Sequence, residues 1–202
     1  LGKPFQFNSH GGANCLATGG IHWLDFFMNH FKINNNQIEI LSRLTLDKIN
    51  PRGKSFYNIG GTILINNKKK SSAILSFNNS SRLAPFQSLI YKSHLLKFDI
   101  LGNYKLYRTD KILDKLKITR YGVPKLIKKG NLLNKNYDSL NLVVANLLYK
   151  KKPLISLEKS FRIFKIFVAA LISNKNKKYL NFKNINKIIK KENFYNKNLK
   201  FT

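Results

Sequence analysis

The chain has 202 residues, 37 Lys and Arg against 9 Asp and Glu, a formal charge of +28 and a single cysteine. Its length, 43% apolar content and 15 Phe suffice for a buried core and exclude a disordered chain. One cysteine excludes a disulfide scaffold and an all-cysteine zinc site, and points to a reducing, cytoplasmic setting.

No uninterrupted apolar run of about 18 residues occurs, so no membrane-spanning helix is expected. No basic segment followed by an apolar stretch marks a signal peptide. Leu1 opens the chain and Met28 is its only methionine, from which a piece of a longer protein is expected. The charge fits a polyanion binder, but composition argues against nucleic acid. Only six of the basic residues are Arg, the residue that grips phosphate and guanine with a planar fork. Lys, Asn and Ile are abundant together, as A/T-rich codons would make them, and the lysines are scattered along the chain.

In chain order, Phe5 and Phe7 fall on one face of a short strand at period two. Gly11-Gly12-Ala13-Asn14 reads as a loop. Ile21, Leu24, Phe27, Met28 and Phe31 have helical spacing, which predicts an amphipathic helix over 20–31 with Thr18 as its cap. A strand is predicted from Glu39 to Leu46, then turn chemistry at Asn50-Pro51-Arg52-Gly53. A β-rich run from Phe56 to Ile65 holds Gly60-Gly61, a bulge or a close backbone approach. Ala73–Phe77, Leu89–Tyr91, Leu96–Ile100 and Tyr104–Tyr107 bring the count to about six short strands, hence a mostly antiparallel sheet.

Late in the chain, Leu140, Val143, Val144, Leu147 and Leu148 stripe a helix over 138–150, which Pro153 stops. Ser156 caps another, with Phe161, Phe164, Phe167, Val168, Leu171 and Ile172 as its buried face. The fold class is therefore α+β: an open, mostly antiparallel sheet with helices packed on one face. Residues 1–173 form the domain, and 174–202 a basic Asn/Lys-rich tail in which Ile185, Ile188 and Ile189 have weak helical spacing.

The segment with chemical character runs from Asn14 to Phe27. His22, Asp25 and Asn29 share one helix face, separate from the apolar one. A helix N-terminus favours anionic groups, paired glycines admit a ligand close to the backbone, and an imidazole exchanges protons near neutral pH. On spacing alone, a histidine that only bonds Asp25 or a backbone carbonyl is the favoured reading of His22. Trp23 either stacks on a sugar ring or packs in the core. Arg52 on its turn is a candidate grip for an anionic substituent, with Arg82 and Tyr91 weaker ones. Cys15 and the histidines have no recognised metal-ligand spacing, so no metal is expected.

Gly19-Gly20-Ile21-His22-Trp23-Leu24-Asp25 resembles the start of the substrate domain in the glucose–fructose oxidoreductase / inositol dehydrogenase / rhizopine-catabolism (Gfo/Idh/MocA) family, which carries a Gly-x-His-x-x-Asp element there. The order of the opening Lys3-Pro4 strand, Asn50-Pro51-Arg52, Gly60-Gly61-Thr62, the Leu-x-x-Val-Val helix and Pro153 to Glu158 is similar too. The likeness covers about residues 1–173. It implies the substrate-binding and oligomerisation domain of an enzyme that passes hydride between NAD or NADP and a hydroxyl or keto carbon. The substrates it implies are a sugar, a cyclitol or a sugar nucleotide.

By that resemblance His22 and Asp25 are the catalytic pair, His22 handling the hydroxyl proton and Asp25 orienting it or the loop. Asn14 and Thr18 are substrate contacts by the same likeness, with Trp23 kept as a candidate sugar contact on its aromatic chemistry. Thr18 stands where family members often carry an aspartate, so an ionised base there is missing. The family's Gly-rich phosphate loop and Glu-Lys-Pro lysine belong to a dinucleotide domain, and no Gly-x-Gly-x-x-Gly occurs in these residues. The cofactor is thus expected on a missing N-terminal domain, leaving this chain inactive alone, and a homo-oligomer is expected through the open sheet face. The alternative is a non-catalytic basic protein that binds nucleic acid or another polyanion.

Overall fold

The structure, a computed structural model, describes residues 1–12, 15–33, 37–47, 57–68, 71–78, 80–117, 120–132, 144, 148–149, 156–185 and 187–188. Among these residues, nine strands make one sheet: β1 (Gln6–Gly12), β2 (Ile38–Asp47), β3 (Asn58–Asn67), β4 (Ser71–Asn78), β5 (Phe86–Ile90), β6 (His94–Asp99), β7 (Asn103–Arg108), β8 (Lys125–Asn131) and β9 (Leu180–Asn181). Their spatial order is β8-β7-β6-β5-β1-β4-β3-β2-β9, antiparallel throughout except for the parallel β1–β4 pair. The fold class is the α+β open sheet expected from the sequence.

Alternation decides which face is covered. Phe7, Ala73, Leu75, Ile63, Ile65 and Ile40 point to one side and are buried there. Two helices lie on that side, α1 (Gly19–His30) and α2 (Leu157–Asn176). From α1, Leu24, Phe27 and Met28 are buried, and the Phe7 ring meets Phe26 at 5.1 Å between centroids. Ser156 caps α2 by accepting a hydrogen bond from the Lys159 amide at 3.2 Å. The buried Ser42 of β2 ties the sheet to α2: its amide donates to Ser173 Oγ and its hydroxyl to the Ala170 carbonyl.

Several local expectations change. Phe5 precedes β1 and is exposed while Phe7 is buried, because the strand starts one residue later. Gly11 and Gly12 extend β1 instead of opening the loop. The buried face of α2 is Ile163, Ile166, Phe167, Val168, Ala169, Ala170 and Ile172; Phe161 and Phe164 are exposed on its outer side. The sheet has nine strands, not about six. β8 is exposed along its whole length and so carries no apolar alternation to read. Beyond residue 173, α2 continues to Asn176, β9 pairs with β2, and Leu180, Phe182 and Ile185 join the core. Gly61, at φ +103, marks a close approach rather than a bulge: a Cβ there would lie 2.2 Å from the Arg43 carbonyl, and the β2–β3 register is unbroken. The 138–150 helix and Pro153 lie outside the described residues, apart from Val144, Leu148 and Tyr149.

Candidate functional site

The start of α1 is anchored by backbone rather than by a side-chain cap. The Cys15 carbonyl accepts from the Thr18, Gly19 and Gly20 amides at 3.1, 2.9 and 3.2 Å. Thr18 does not cap the helix; its hydroxyl donates to the same carbonyl at 3.4 Å. Three amides that a helix end offers an anion are therefore already spent. The Ile59 amide donates to Cys15 Sγ at 3.4 Å and the Leu16 amide to the Ile59 carbonyl at 2.8 Å, which fixes this turn to the end of β3.

A cleft of about 440 Å³ opens beside that turn. Gly19, His22 and Trp23 of α1 form one wall, Gly12 and the β4–β5 loop (Arg82, Leu83, Ala84, Pro85) the other, and Ile100 of the β6–β7 turn closes the end. The second wall depends on glycine. The Gly12 amide donates to the Leu83 carbonyl at 2.8 Å, and a Cβ on Gly12 would sit 2.0 Å from the Ser81 carbonyl oxygen. A Cβ on Gly11 would meet Pro85 backbone at 2.6 Å. This glycine pair lets the chain's own loop approach; it leaves no cradle for a pyrophosphate, so the described residues do not fit a dinucleotide site.

His22 is exposed to the cleft. Asp25 is half-buried one turn on, and its carboxylate accepts from Asn29 Nδ2 at 2.7 Å, so its observed hydrogen bond runs along the helix to Asn29 and not to His22. Trp23 belongs to both readings: its ring packs on Phe98 at 6.3 Å and Phe26 at 6.4 Å, and it still lines the cleft. Asn14 and Arg52 lie outside the described residues. Tyr91 is buried on the helix side of the sheet, away from the cleft, and burial pushes its phenol pKa up. Arg82 joins His22 although it follows it by 60 positions; the only sequence signal was a rare Arg in a Ser/Pro-bounded loop.

No family model matches this sequence, nor does any curated protein. The fold has relatives among solved structures; most are described as oxidoreductases or dehydrogenases, and one is a super-repressor mutant of Gal80p from Saccharomyces cerevisiae. An NAD-binding oxidoreductase from Klebsiella pneumoniae superposes with a TM-score of 0.63 at 11% identity, over 90% of this chain and 59% of its own. An oxidoreductase from Agrobacterium radiobacter, solved with NAD+, L-tartaric acid and magnesium, gives 0.61 at 13% identity, over 91% and 58%. Aldose-aldose oxidoreductase from Caulobacter crescentus, complexed with glycerol, gives 0.61 at 11%, over 90% and 56%. The chain thus spans somewhat over half the length of these proteins and has the fold of one part of them.

Proposed function

We propose that this chain is the substrate-binding half of a nicotinamide-dependent oxidoreductase acting on a hydroxyl or keto carbon of a sugar, cyclitol or sugar nucleotide, in the cytoplasm. The observation that carries the reading is the placement of His22: an exposed imidazole at the start of a rigid helix, beside the chain's only tryptophan, facing a cleft, on a fold shared with oxidoreductases. NAD or NADP is assigned to a separate dinucleotide-binding domain, because Gly11, Gly12, Gly19 and Gly20 are all engaged by the chain itself.

In this reading the chain's own residues bind, orient and move a proton. Trp23 offers an apolar ring edge to a sugar face and Arg82 a cation to an anionic substituent. His22 takes the proton from the reacting hydroxyl, or returns it to the carbonyl in the reverse direction. Asp25 contributes negative charge one turn away and holds Asn29. Thr18 bears on the site through the turn geometry, while Asn14 and Arg52 are assigned to substrate on sequence grounds alone. Leu41, Leu64 and Ile74 lie side by side on the open face of the sheet, half-buried, and are assigned to contact with a second copy.

The test is turnover. The chain joined to its dinucleotide domain is assayed with a panel of polyols and sugar nucleotides, as wild type and His22→Gln. The expected loss in kcat is about 10²–10⁴-fold, the usual worth of a positioned acid–base group. Equal turnover by the two proteins would overturn the assignment.

A further inference from the structure

The open face of the sheet carries one continuous rung of directly opposed residues: Leu41, Leu64, Ile74, Asn8, Ser88, Lys97, Lys105 and Lys129. It grades from apolar through neutral polar to cationic. Three lysines on adjacent strands repel one another, and opposed like charges weaken a sheet. Lys97 faces the Tyr107 ring, and one carboxylate, Asp99, lines the trough that the lysines border. The nearby carboxylate of Asp99 is filled by its own turn, accepting from the Leu101 and Asn103 amides and from Asn103 Nδ2. The Arg108–Asp114 ion pair ties β7 to the turn after it and involves none of the three lysines.

The lysines border a trough of about 890 Å³ with aromatic groups on both sides of the rung. Phe86, 40% exposed, stands on the β5 side with its ring against His10 at 4.0 Å. Tyr107 stands on β7, with Lys97 Nζ 5.7 Å from its ring centroid. With strands about 4.8 Å apart, the lysine line is about 10 Å long, more than one phosphate can meet. A concave floor suits a strand better than the flat surface of a bilayer. A second copy of this chain would bring its own lysines or other basic surface, since the whole sequence offers 9 carboxylates to 37 cations.

We propose that this cationic end of the open face binds single-stranded nucleic acid, with successive phosphates on Lys97, Lys105 and Lys129 and bases against Phe86 and Tyr107. The rung then divides by chemistry, its lysine end taking a polyanion. The inference goes beyond the oxidoreductase reading and does not depend on it, since neither His22 nor turnover enters its test.

The full chain is titrated with a labelled oligothymidylate of about 12 nucleotides over a salt series. The triple variant Lys97→Gln/Lys105→Gln/Lys129→Gln is compared with a charge-matched control, Lys111→Gln/Lys115→Gln/Lys117→Gln. The rung variant should lower the log–log salt slope by about 2, three contacts at about 0.7 each, and the control should leave it nearly unchanged. Phe86→Ala and Tyr107→Leu should each weaken binding about tenfold. Equal slopes for the two triple variants would overturn the proposal, as would binding to phosphatidylserine vesicles with none to the oligonucleotide. The Gln changes relieve repulsion, so thermal unfolding of the rung variant should match or exceed wild type and loss of binding cannot be put down to misfolding.

Discussion

At the residue scale, Gly12 shapes the cleft because a neighbouring loop occupies the space of its missing side chain. Gly12→Ala should displace the 80–85 loop, lower stability by more than about 1 kcal/mol through overpacking, and remove Arg82 from His22; urea denaturation and ligand titration check the two effects separately. Ser173 is fully buried, accepts from the Ser42 amide and donates to the Lys178 carbonyl at 2.7 Å. Ser173→Ala takes the partner from the buried Ser42 amide and should cost about 1–3 kcal/mol, readable in the same denaturation curves.

Acid should weaken the protein in two stages. Burial, then the Lys97 charge, holds the His10 pKa below its ordinary 6.5, and burial, then Arg108, does the same for His94. The folded state therefore prefers both imidazoles neutral, so stability is full above 6.5 and falls as pH drops below it toward their folded values. Further down, Asp99 and Asp114 are held below 3.8 by side-chain hydrogen bonds from Asn103 and from Ser93 and Arg108. Their contribution is present above 3.8 and is lost as pH falls through their folded values. The denaturation midpoint should drop between about pH 7.5 and pH 5.5, and His10→Gln should flatten that limb; an unchanged pH dependence in His10→Gln would remove His10 as a cause.

At the element scale, β9 and the turn after it anchor the far edge of the sheet. Leu180, Phe182 and Ile185 are 4%, 5% and 2% exposed, so Leu180→Ala and Phe182→Ala should each cost about 2–5 kcal/mol by calorimetry or urea. That anchor was hidden in the sequence because single apolar residues set among Lys and Asn make neither a helical nor an alternating pattern. α1 was legible to within a residue or two because its five apolar positions repeat at helical spacing. α2 was legible in extent and only partly in rotation: Phe167, Val168 and Ile172 are buried as read, but an aromatic stripe through Phe161 and Phe164 competes with an Ile/Ala stripe of similar period. The small Ala169 and Ala170 win because they let the helix sit close on β2, where Ser42 reaches its backbone. β8 pairs through backbone bonds and the Asn131 side chain, which donates to Asn103 Oδ1 at 2.7 Å, and leaves no apolar trace.

On the scale of the whole molecule, the sequence reading found the sheet and its covered face because both rest on local patterns. It ranked low, or did not group, what topology assembles. Arg82 lines the same cleft as His22 because its loop is bonded to Gly12 and β5 pairs with β1, and Lys97, Lys105 and Lys129, scattered in the chain, meet only because β6, β7 and β8 are consecutive antiparallel neighbours in that register. Scattered lysines argued against a polyanion site in one dimension and form a line of charge in three.

The most direct test of the proposal that this cleft takes a carbohydrate uses Trp23, the only tryptophan, as its own probe. Its fluorescence is followed while sugars, cyclitols and sugar nucleotides are titrated into the wild-type chain and into His22→Gln. The account expects a saturable change with at least one of these ligands, and an affinity at least about tenfold weaker in His22→Gln, the loss of one hydrogen bond to a bound hydroxyl. A flat response across the panel, or equal affinity in the two proteins, would contradict it.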